Sequence, residues 1–295
     1  MHDLTAITSD INIPATDEFQ LAATVYKPAE TQSLNKTVIL NSATGVKRTF
    51  YAHFARFLAE EGFAVVTFDY RGIGDSRPVT LNKFQAFMHD WGEKDIAGVI
   101  DWVGENFPGS DILAVGHSVG GQVMGVAHNN DRISAMLLVA SQSGYWRLWP
   151  WHQKLFILIF WYLFIPGLTI PLSYFPAKFF GLGEDLPLGV ALEWASWGRD
   201  PKYIIGENNR VSKQNFQRFT APILSYSVAS DFFAPKKAAD ELMTYYVNAQ
   251  TTRRHLTPAS LQVSEIGHFD FFRKPFKDPL WRECAAWLKA KGDTR

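Results

Sequence analysis

The sequence predicts an α/β fold, in which a mainly parallel β-sheet is covered by helices on both faces. Apolar runs of strand length alternate along the chain with longer segments whose apolar residues recur at helical spacing. Such alternation is typical of parallel sheets, which bind ligands at the carboxyl ends of their strands. The length of 295 residues and a composition of 47% hydrophobic and 20% charged residues agree with a large globular core.

Seven segments are predicted to be strands. Most of them are short apolar runs bounded by polar residues, which is the pattern of a strand buried on both faces of a sheet. The final segment instead alternates apolar and polar residues, and we expect it to be the last strand. The seven segments are residues 19–26, 37–41, 64–68, 112–115, 135–139, 223–228 and 261–266.

Helical periodicity predicts five helices between and after these strands. In the first of them, Phe50, Phe54 and Phe57 recur at helical spacing, and Gly62 follows as a stop signal. The predicted helices are residues 49–61, 82–107, 122–128, 235–247 and 279–290.

Residues 145–219 interrupt this alternation. The segment opens with a tryptophan-rich stretch, continues through an unbroken apolar run at residues 155–165, and is then punctuated by Pro166, Pro171 and Pro176. We interpret residues 145–219 as an inserted, aromatic-rich and mostly helical cap. Residues 1–144 and 220–295 then form the α/β core.

The apolar run at residues 155–165 bears on contact with a membrane. Its 11 residues are fewer than the roughly 20 that a spanning helix needs, and runs of this length more often belong to core or interfacial helices. No residue from Leu155 to Ala177 is charged. Peripheral contact of the cap with a membrane or with lipid, and a kinked span, therefore stay open as alternatives.

The charge balance and the motifs disfavour several classes of function. With 29 basic and 29 acidic residues the net charge is zero, so we predict no nucleic-acid partner. The chain has no H-E-x-x-H motif, no paired Cys/His spacing, no Walker loop and no G-x-G-x-x-G motif. We therefore predict neither a metal site nor a cofactor.

The single cysteine and the amino terminus add two expectations. Cys284 has no partner for a disulfide within the chain, and we expect a small buried side chain rather than a reactive thiol. Residues 1–4 have neither the basic nor the apolar region of a secretory signal. This predicts a cytoplasmic location.

The most informative motif is Gly116-His117-Ser118-Val119-Gly120, which matches the G-x-S-x-G nucleophile elbow. It follows a predicted strand and precedes a predicted helix. A tight turn between such elements exposes the serine hydroxyl at the top of the sheet, and the two glycines let strand and helix approach closely. We predict that Ser118 is a nucleophile and that the backbone N–H of Val119, at a helix N-terminus, stabilises an oxyanion.

A serine nucleophile needs a base, and folds that use this elbow follow the chain order Ser, acid, His. His268 comes directly after the last predicted strand and is the predicted base. His255 also lies downstream, but it precedes that strand and is flanked by arginines. His117, His128 and His152 are expected to be structural.

The base needs an acid that fixes its tautomer and stabilises its charged form. Asp231 follows the predicted strand at residues 223–228 and is the predicted acid. Asp240 is expected on the following helix. Asp270 is too close to His268 in sequence for an easy contact with the side of the ring.

A second oxyanion donor is expected from the loop after residues 37–41. This loop consists of small residues and includes Gly45, which permits close approach of the backbone to a ligand. We predict the backbone N–H of Thr44 as the donor, with Ala43 and Gly45 as alternatives.

Residues 69–76 carry the pattern D-x-R-G-x-G-x-S. With the elbow, Asp231 and His268, this pattern makes the chain resemble the α/β-hydrolase superfamily from about residue 15 to the C-terminus, the cap excepted. It is most similar to an uncharacterised group of predicted α/β hydrolases near the serine-aminopeptidase and monoacylglycerol-lipase-like branches. The resemblance implies the α/β-hydrolase fold, hydrolysis of esters, thioesters or amides through an acyl-enzyme without a cofactor, and a fold-supporting role for Asp69, Arg71 and Ser76.

The main hypothesis is a serine hydrolase of the carboxylesterase or lipase type, acting on a small-molecule ester or thioester with an apolar acyl group. The aromatic cap is expected to line the acyl pocket. The candidate pocket residues are Trp146, Trp149, Phe160, Trp161 and Trp194. Two alternatives stay open: acyl transfer with the same residues, and a non-catalytic scaffold that binds a ligand. The sequence predicts no oligomeric state.

Overall fold

The structure is a computed structural model that describes residues 6–292, apart from the side chain of Pro279. The amino-terminal segment behind the prediction of a cytoplasmic location lies outside the described residues. The main sheet contains eight strands: β1 (Ile7–Pro14), β2 (Gln20–Lys27), β3 (Lys36–Asn41), β4 (Ala64–Phe68), β5 (Asp111–His117), β6 (Ile133–Val139), β9 (Ile223–Val228) and β10 (Thr251–Leu256). Two short strands, β7 (Tyr174–Phe175) and β8 (Leu186–Pro187), pair with each other outside this sheet.

The strands follow the spatial order β1-β2-β4-β3-β5-β6-β9-β10. β1 pairs with β2, and β2 with β4, in antiparallel orientation, whereas the pairs from β4 to β10 are all parallel. The predicted mainly parallel sheet is confirmed. The carboxyl ends of its parallel strands therefore meet at one edge, where a ligand site is expected.

Helices connect the strands and cover the sheet. Three short helical pieces, α2, a π-helical turn and α3, form one continuous helix before β5. The helices are α1 (Ala52–Glu60), α2 (Met88–Asp90), α3 (Ala97–Asn106), α4 (Val119–Val123), α5 (Trp151–Ile159), α6 (Ile165–Leu172), α7 (Leu188–Arg199), α8 (Lys213–Arg218), α9 (Lys236–Met243), α10 (Pro258–Leu261) and α11 (Arg282–Lys289).

Both faces of the sheet are buried. In β3, Val38 and Leu40 belong to the hydrophobic cluster that contains the residues of α1 and α11, whereas Ile39 belongs to the cluster with α3, α4 and α9. Because each face is covered, the central strands need apolar side chains at every position, which explains their unbroken apolar runs. Cys284, a residue of α11, is fully buried, as expected.

The predicted last strand at residues 261–266 is wrong. The last strand is β10, whose four central residues are exposed and include Arg253 and Arg254, so it lacks the apolar run that marks the inner strands. Residues 257–262 instead form the capped helix α10: the Thr257 hydroxyl accepts a hydrogen bond from the Ser260 N–H at 3.1 Å. The alternation of apolar and polar residues at 261–266 falls on the end of α10 and the loop after it.

The bounds of the predicted helices also differ from the structure, most clearly in two of them. The helix expected at residues 82–107 begins at Met88, and the helix expected at residues 122–128 begins at Val119 and ends at Val123. Gly120 and Gly121 have low helix propensity, which hides the start of α4 in the sequence. Their lack of side chains is required by close packing, as described below.

The turn after β4 is held by buried ion pairs. Arg71 Nε lies 2.7 Å from Asp95 Oδ1, and the Arg71 guanidinium makes two contacts of 2.8 Å with Asp17. Burial raises the pKa of Asp95 to about 7 against the opposing effect of Arg71. Asp69 accepts the Arg48 N–H at 2.6 Å, and its carbonyl accepts the Ser76 hydroxyl at 2.8 Å. These contacts order the turn without reaching the cavity described below.

The segment between β6 and β9 is mostly helical, and we refer to it as the cap. Trp161 in this segment belongs to the same hydrophobic cluster as Met136 of the sheet, so the segment is packed on the core. Its α5, a π-helical turn at Phe160–Phe164 and α6 form one helix, Trp151–Leu172. This helix has 22 residues, and its most apolar 18-residue window has a mean hydropathy of 2.2, so length and composition alone would suit a membrane span, as they would a core helix.

A polar contact joins α2 of the core to α7 of the cap. The backbone N–H of His89 donates to Glu193 Oε2 at 2.9 Å, and the ring Nδ1 lies 2.8 Å from Oε1. Burial lowers the pKa of His89, but Glu193, with Asp90 and Glu93 nearby, outweighs burial and raises the pKa above its ordinary 6.5. The contact between charged His89 and Glu193 stabilises the folded state. This stabilisation is fully present below pH 6.5 and is lost as the pH rises through the raised pKa of His89.

We expect Glu193→Gln, which removes the charge and keeps the side-chain shape, to lower the free energy of unfolding by about 1–3 kcal/mol below the ordinary histidine pKa. The difference from the native protein should narrow at alkaline pH, because His89 is then neutral in both proteins. Urea unfolding at about pH 6 and about pH 9 measures this. The control is Glu207→Gln at the exposed Lys202–Glu207 pair, which should give no such pH dependence. A difference that widens with pH would contradict the account.

Candidate active site

Ser118 lies in a strained turn between β5 and α4. Its φ and ψ are 53° and −119°, a combination that residues with a side chain rarely adopt. A Cβ at Gly116 would lie 2.6 Å from Gly121 Cα, and a Cβ at Gly120 would lie 2.3 Å from the Asn41 carbonyl oxygen. Only glycines at these positions let β5, α4 and the end of β3 come this close, as the elbow motif requires.

The predicted acid and base lie together beyond the carboxyl ends of β9 and β10. Asp231 Oδ2 lies 2.7 Å from His268 Nδ1, and Oδ1 accepts the N–H groups of Phe233 at 2.8 Å and Ala234 at 3.0 Å. The Asp231 side chain is fully buried. Because the carboxylate accepts, Nδ1 carries the proton of the neutral ring, and the lone pair is on Nε2. The ring is therefore held in the tautomer of a base.

Ser118 and His268 line the same cavity, and each is less than a tenth exposed. No hydrogen bond joins the Ser118 hydroxyl to the His268 ring within residues 6–292. Such contacts often tighten only when a substrate is bound. The structure thus brings the three predicted residues to one edge of the sheet, where Ser118 and His268 line the cavity and Asp231 lies behind His268.

The alternative acids and bases lie elsewhere. Asp240 contacts Lys236 in α9 at 2.7 Å, and Asp270 accepts the Gly267 N–H at 2.7 Å. His255 is part of β10, where its Nδ1 lies 2.8 Å from the Ser227 hydroxyl. His128 and His152 are exposed. In the described part of the chain, no group of three or more His, Cys, Asp or Glu side chains is arranged to hold a metal ion.

His117 is next to Ser118 in sequence and links two parts of the site. Its Nε2 lies 2.9 Å from the His268 carbonyl oxygen, and its Nδ1 lies 2.8 Å from the Tyr51 hydroxyl. A carbonyl oxygen only accepts, so Nε2 donates and Nδ1 accepts from Tyr51. Burial lowers the pKa of His117 well below 6.5, which keeps the ring neutral. The Tyr51 oxygen in turn accepts the Ala43 N–H at 2.9 Å.

This chain of contacts constrains the predicted oxyanion site. The N–H of Ala43 donates to Tyr51, so the N–H groups of Thr44 and Gly45 are the predicted donors that remain. Thr44 lines the cavity, and its buried Oγ1 has no hydrogen-bond partner among the described residues. Gly45 has a φ of 66°, and its carbonyl oxygen accepts the Glu184 N–H at 2.7 Å. Val119 is the first residue of α4, so its N–H has no acceptor within the helix.

The cavity has a volume of about 390 Å³ and is mostly apolar. Ser118, His268 and Thr44 lie on its core side, and residues of the cap line the other side. Four of the five predicted pocket residues line it, namely Trp149, Phe160, Trp161 and Trp194.

Trp146 does not line this cavity and is a correction to the predicted pocket. It lies in a short helical turn at Trp146–Leu148, where the Arg147 guanidinium is 5.0 Å from the centre of its ring. The turn directs the chain toward α5, and the next residue along the chain that lines the cavity is Trp149. Sequence alone does not separate the two tryptophans, since both are in the same tryptophan-rich stretch.

The tryptophans of the cavity are held by their polar atoms. Trp149 Nε1 donates to the Phe232 carbonyl at 2.8 Å, Trp161 Nε1 to the Gly144 carbonyl at 3.1 Å, and Trp194 Nε1 to the Tyr203 hydroxyl at 3.1 Å. Each indole N–H is therefore satisfied, and the rings can form an apolar wall without an unpaired polar group.

Glutamine side chains extend this network from the cap to the elbow. The Tyr203 hydroxyl donates to Gln122 Oε1 at 2.7 Å, Gln122 Nε2 donates to Gln142 Oε1 at 3.1 Å, and Gln142 Nε2 donates to the Phe233 carbonyl at 3.0 Å. Gln122 lies in α4, and Phe233 lies in the loop that carries Asp231. The network thus ties the cap to the segments that hold both Ser118 and the acid.

Sequence reasoning missed several residues of this site. Phe232, Phe233 and Phe269 line the cavity, and their positions beside Asp231 and His268 in the sequence were a usable signal. Tyr51 gave no such signal, because its hydroxyl contacts residues that are distant in the chain.

Comparisons with known proteins agree with this fold. The family model Hydrolase_4, described as serine aminopeptidase, S33, matches residues 32–203, which include the elbow and most of the cap. No curated protein sequence matches the chain.

Solved structures share the fold. Hypothetical protein PA2218 from Pseudomonas aeruginosa has a TM-score of 0.64 and 14% identity, over 98% of this chain and 94% of that chain. The esterase EaEST from Exiguobacterium antarcticum has a TM-score of 0.60 and 15% identity, over 95% and 100%. The esterase Pf2001 from Pyrococcus furiosus has a TM-score of 0.58 and 15% identity, over 97% and 93%.

At these identities the structural likeness shows the fold alone, while the family model matches more than half of the chain. The chain belongs to the serine aminopeptidase S33 family of the α/β-hydrolase superfamily and is a hydrolase of that class.

Proposed function

We propose that this protein hydrolyses a carboxylic ester or thioester with an apolar acyl group, through an acyl-enzyme on Ser118. The observation that carries the proposal is the placement of Ser118 and His268 on one wall of an aromatic cavity, with Asp231 bonded to His268 at 2.7 Å. A cavity of about 390 Å³ is within the usual range for a small-molecule site.

The reaction follows from the positions of the protons. His268 Nε2 takes the Ser118 hydroxyl proton as Oγ attacks the substrate carbonyl carbon, and the charged ring is stabilised by Asp231. The ring then gives this proton to the leaving alkoxide or thiolate as the bond to the carbonyl carbon breaks. Water attacks the acyl-enzyme by the same route, which releases the acid and restores Ser118.

The negative oxygen of the tetrahedral intermediate needs donors. The Val119 N–H at the start of α4 is one, and the Thr44 N–H is the second. The bond between Ala43 and Tyr51 supports the choice of Thr44, because the Ala43 N–H already has an acceptor. The unpartnered Thr44 Oγ1 adds a hydroxyl that can contact a substrate oxygen.

The lining of the cavity supports an apolar acyl group. The wall consists mainly of aromatic and aliphatic side chains, and its indole N–H groups are already hydrogen-bonded to protein oxygens. A polar acyl group would lose its hydration without gaining partners there. The enzyme therefore prefers longer acyl chains, because each methylene group buried in the cavity strengthens binding.

We expect p-nitrophenyl esters to be hydrolysed with a kcat/KM that rises from acetate to longer acyl chains until the cavity is filled. The increase should be about fourfold per methylene, since burying one methylene is worth about 0.8 kcal/mol. Ser118→Ala should reduce kcat by about 10⁴-fold or more.

Initial rates with purified native and Ser118→Ala proteins measure both effects. Full activity of the alanine variant would sink the assignment of the nucleophile. Tight ester binding without turnover in the native protein would favour a ligand-binding scaffold instead. Transfer of the acyl group to an added alcohol, instead of its release as the free acid, would favour acyl transfer.

We also propose that Tyr51 is a positioning residue that orders His117 and the loop at Ala43. Tyr51→Phe removes only the hydroxyl. We expect kcat to fall about 10- to 100-fold with little change in KM, because the oxyanion donor and the His268 backbone lose their fixed positions. Steady-state kinetics across a pH series measure this and test whether the apparent pKa of kcat moves.

The matched control is Tyr70→Phe. Tyr70 is also buried, but its hydroxyl has no hydrogen-bond partner among the described residues and it does not line the cavity. This variant should keep the native kcat and pH profile. If Tyr51→Phe behaves like Tyr70→Phe, the hydroxyl has no positioning role.

A further inference from the structure

An exposed apolar face covers the outer side of the cap. We call it the apolar cap face and define it by Trp151, Leu155, Ile159, Leu163, Ile170 and Phe179, which are between 42% and 84% exposed. Most of these residues recur four positions apart along the helix Trp151–Leu172, so they form one stripe. A contiguous apolar surface of this kind is unusual on a monomer and marks an interaction site.

The opposite side of the same helix is committed to the fold. Ile157, Trp161, Ile165 and Thr169 are buried, also at every fourth position. The approach is close at Trp161, since a Cβ at Gly198 would lie 2.5 Å from its ring. If this helix spanned a bilayer, its buried side would have to lose its contacts with the core. A helix with one buried side and one exposed apolar side is instead suited to lie parallel to a membrane surface.

The charges around the face complement an anionic surface. Residues 133–183 contain no Asp or Glu, whereas Arg147, Lys154 and Lys178 are within this segment. Lys178 also contacts Glu184 at 3.0 Å, and Glu184 is the first residue after this segment. Basic side chains beside an apolar stripe are typical of helices that bind anionic lipid headgroups.

The face is continuous with the cavity. Phe156 and Leu182 are exposed beside the stripe and also line the cavity that contains Ser118. Phe233, in the loop of Asp231, is likewise both exposed and part of the cavity wall. A molecule that leaves an apolar phase at this face therefore meets the cavity without crossing a polar surface.

We propose that the apolar cap face docks the protein on the surface of a lipid bilayer that contains anionic headgroups. A protein partner is the less fitting occupant, because protein interfaces are on average only about 56–58% apolar, whereas no residue from Leu155 to Ala177 is charged. The supply of an apolar ester from the bilayer to Ser118 follows from this docking and rests on the proposed function. The docking itself does not depend on catalysis.

Flotation of the full chain with vesicles tests the proposal. The vesicles are phosphatidylcholine alone and an equimolar mixture of phosphatidylcholine and phosphatidylglycerol. The native protein should float with the mixture and less with phosphatidylcholine alone. Leu155→Asp with Leu163→Asp should raise the lipid concentration for half-maximal binding by about tenfold or more. Lys154→Glu should weaken binding to the mixture and leave binding to phosphatidylcholine alone unchanged.

Two controls keep the outcomes distinct. Val79→Asp with Val247→Asp changes exposed valines outside the cap, and this protein should bind vesicles as the native protein does. Ser118→Ala should also bind normally, so that a failure of the proposed reaction cannot be mistaken for a failure of docking. Circular dichroism and turnover of a water-soluble short-chain ester check the fold of the Leu155/Leu163 variant.

Three results would overturn the proposal. The first is that the native protein floats with neither kind of vesicle. The second is that the Leu155/Leu163 variant floats as well as the native protein. The third is that, without lipid, the native protein sediments as a dimer and the variant as a monomer. The last result would assign the face to a second copy of the chain.

Discussion

The candidate active site depends on the strained backbone of Ser118. A side-chain residue at a φ of 53° costs on the order of 1–3 kcal/mol, so the surrounding packing has to enforce it. Gly116 and Gly120 allow that packing, because any side chain there would collide with the backbone of α4 or β3. The strain directs the hydroxyl into the cavity and leaves the Val119 N–H at the start of a helix. The proposed nucleophile and the proposed oxyanion donor are thus products of one turn.

Once the elbow is fixed, the parallel sheet brings the partners to it. Asp231 follows β9 and His268 follows β10, at the same edge as the end of β5. Buried polar contacts then hold these loops to one another: His117 connects the elbow to the His268 backbone, and the glutamine network connects α4 to the Asp231 loop and the cap. The site is therefore a cavity lined by residues of both the core and the cap, and the cap also presents an apolar face to the outside.

The parts of the site that are local in sequence could be predicted, and the parts that arise from distant contacts could not. Gly116–Gly120 and the inner strands have strong local patterns, because a tight turn and a doubly buried strand each constrain consecutive residues. The edge strand β10 is exposed and polar, so its pattern was hidden, and His268 was predicted through a strand at residues 261–266 that does not exist. The role of Tyr51 and the different surroundings of Trp146 and Trp149 depend on tertiary packing, which a local pattern does not encode.

The most direct test of the central claim is covalent labelling of the native protein with a fluorophosphonate, followed by peptide mapping in a mass spectrometer. The account predicts a single adduct on Ser118, formed rapidly because His268 removes the hydroxyl proton, and much slower labelling when Asp231 is replaced by Asn. An intact, folded protein that forms no adduct, or forms it on another residue, would contradict the account.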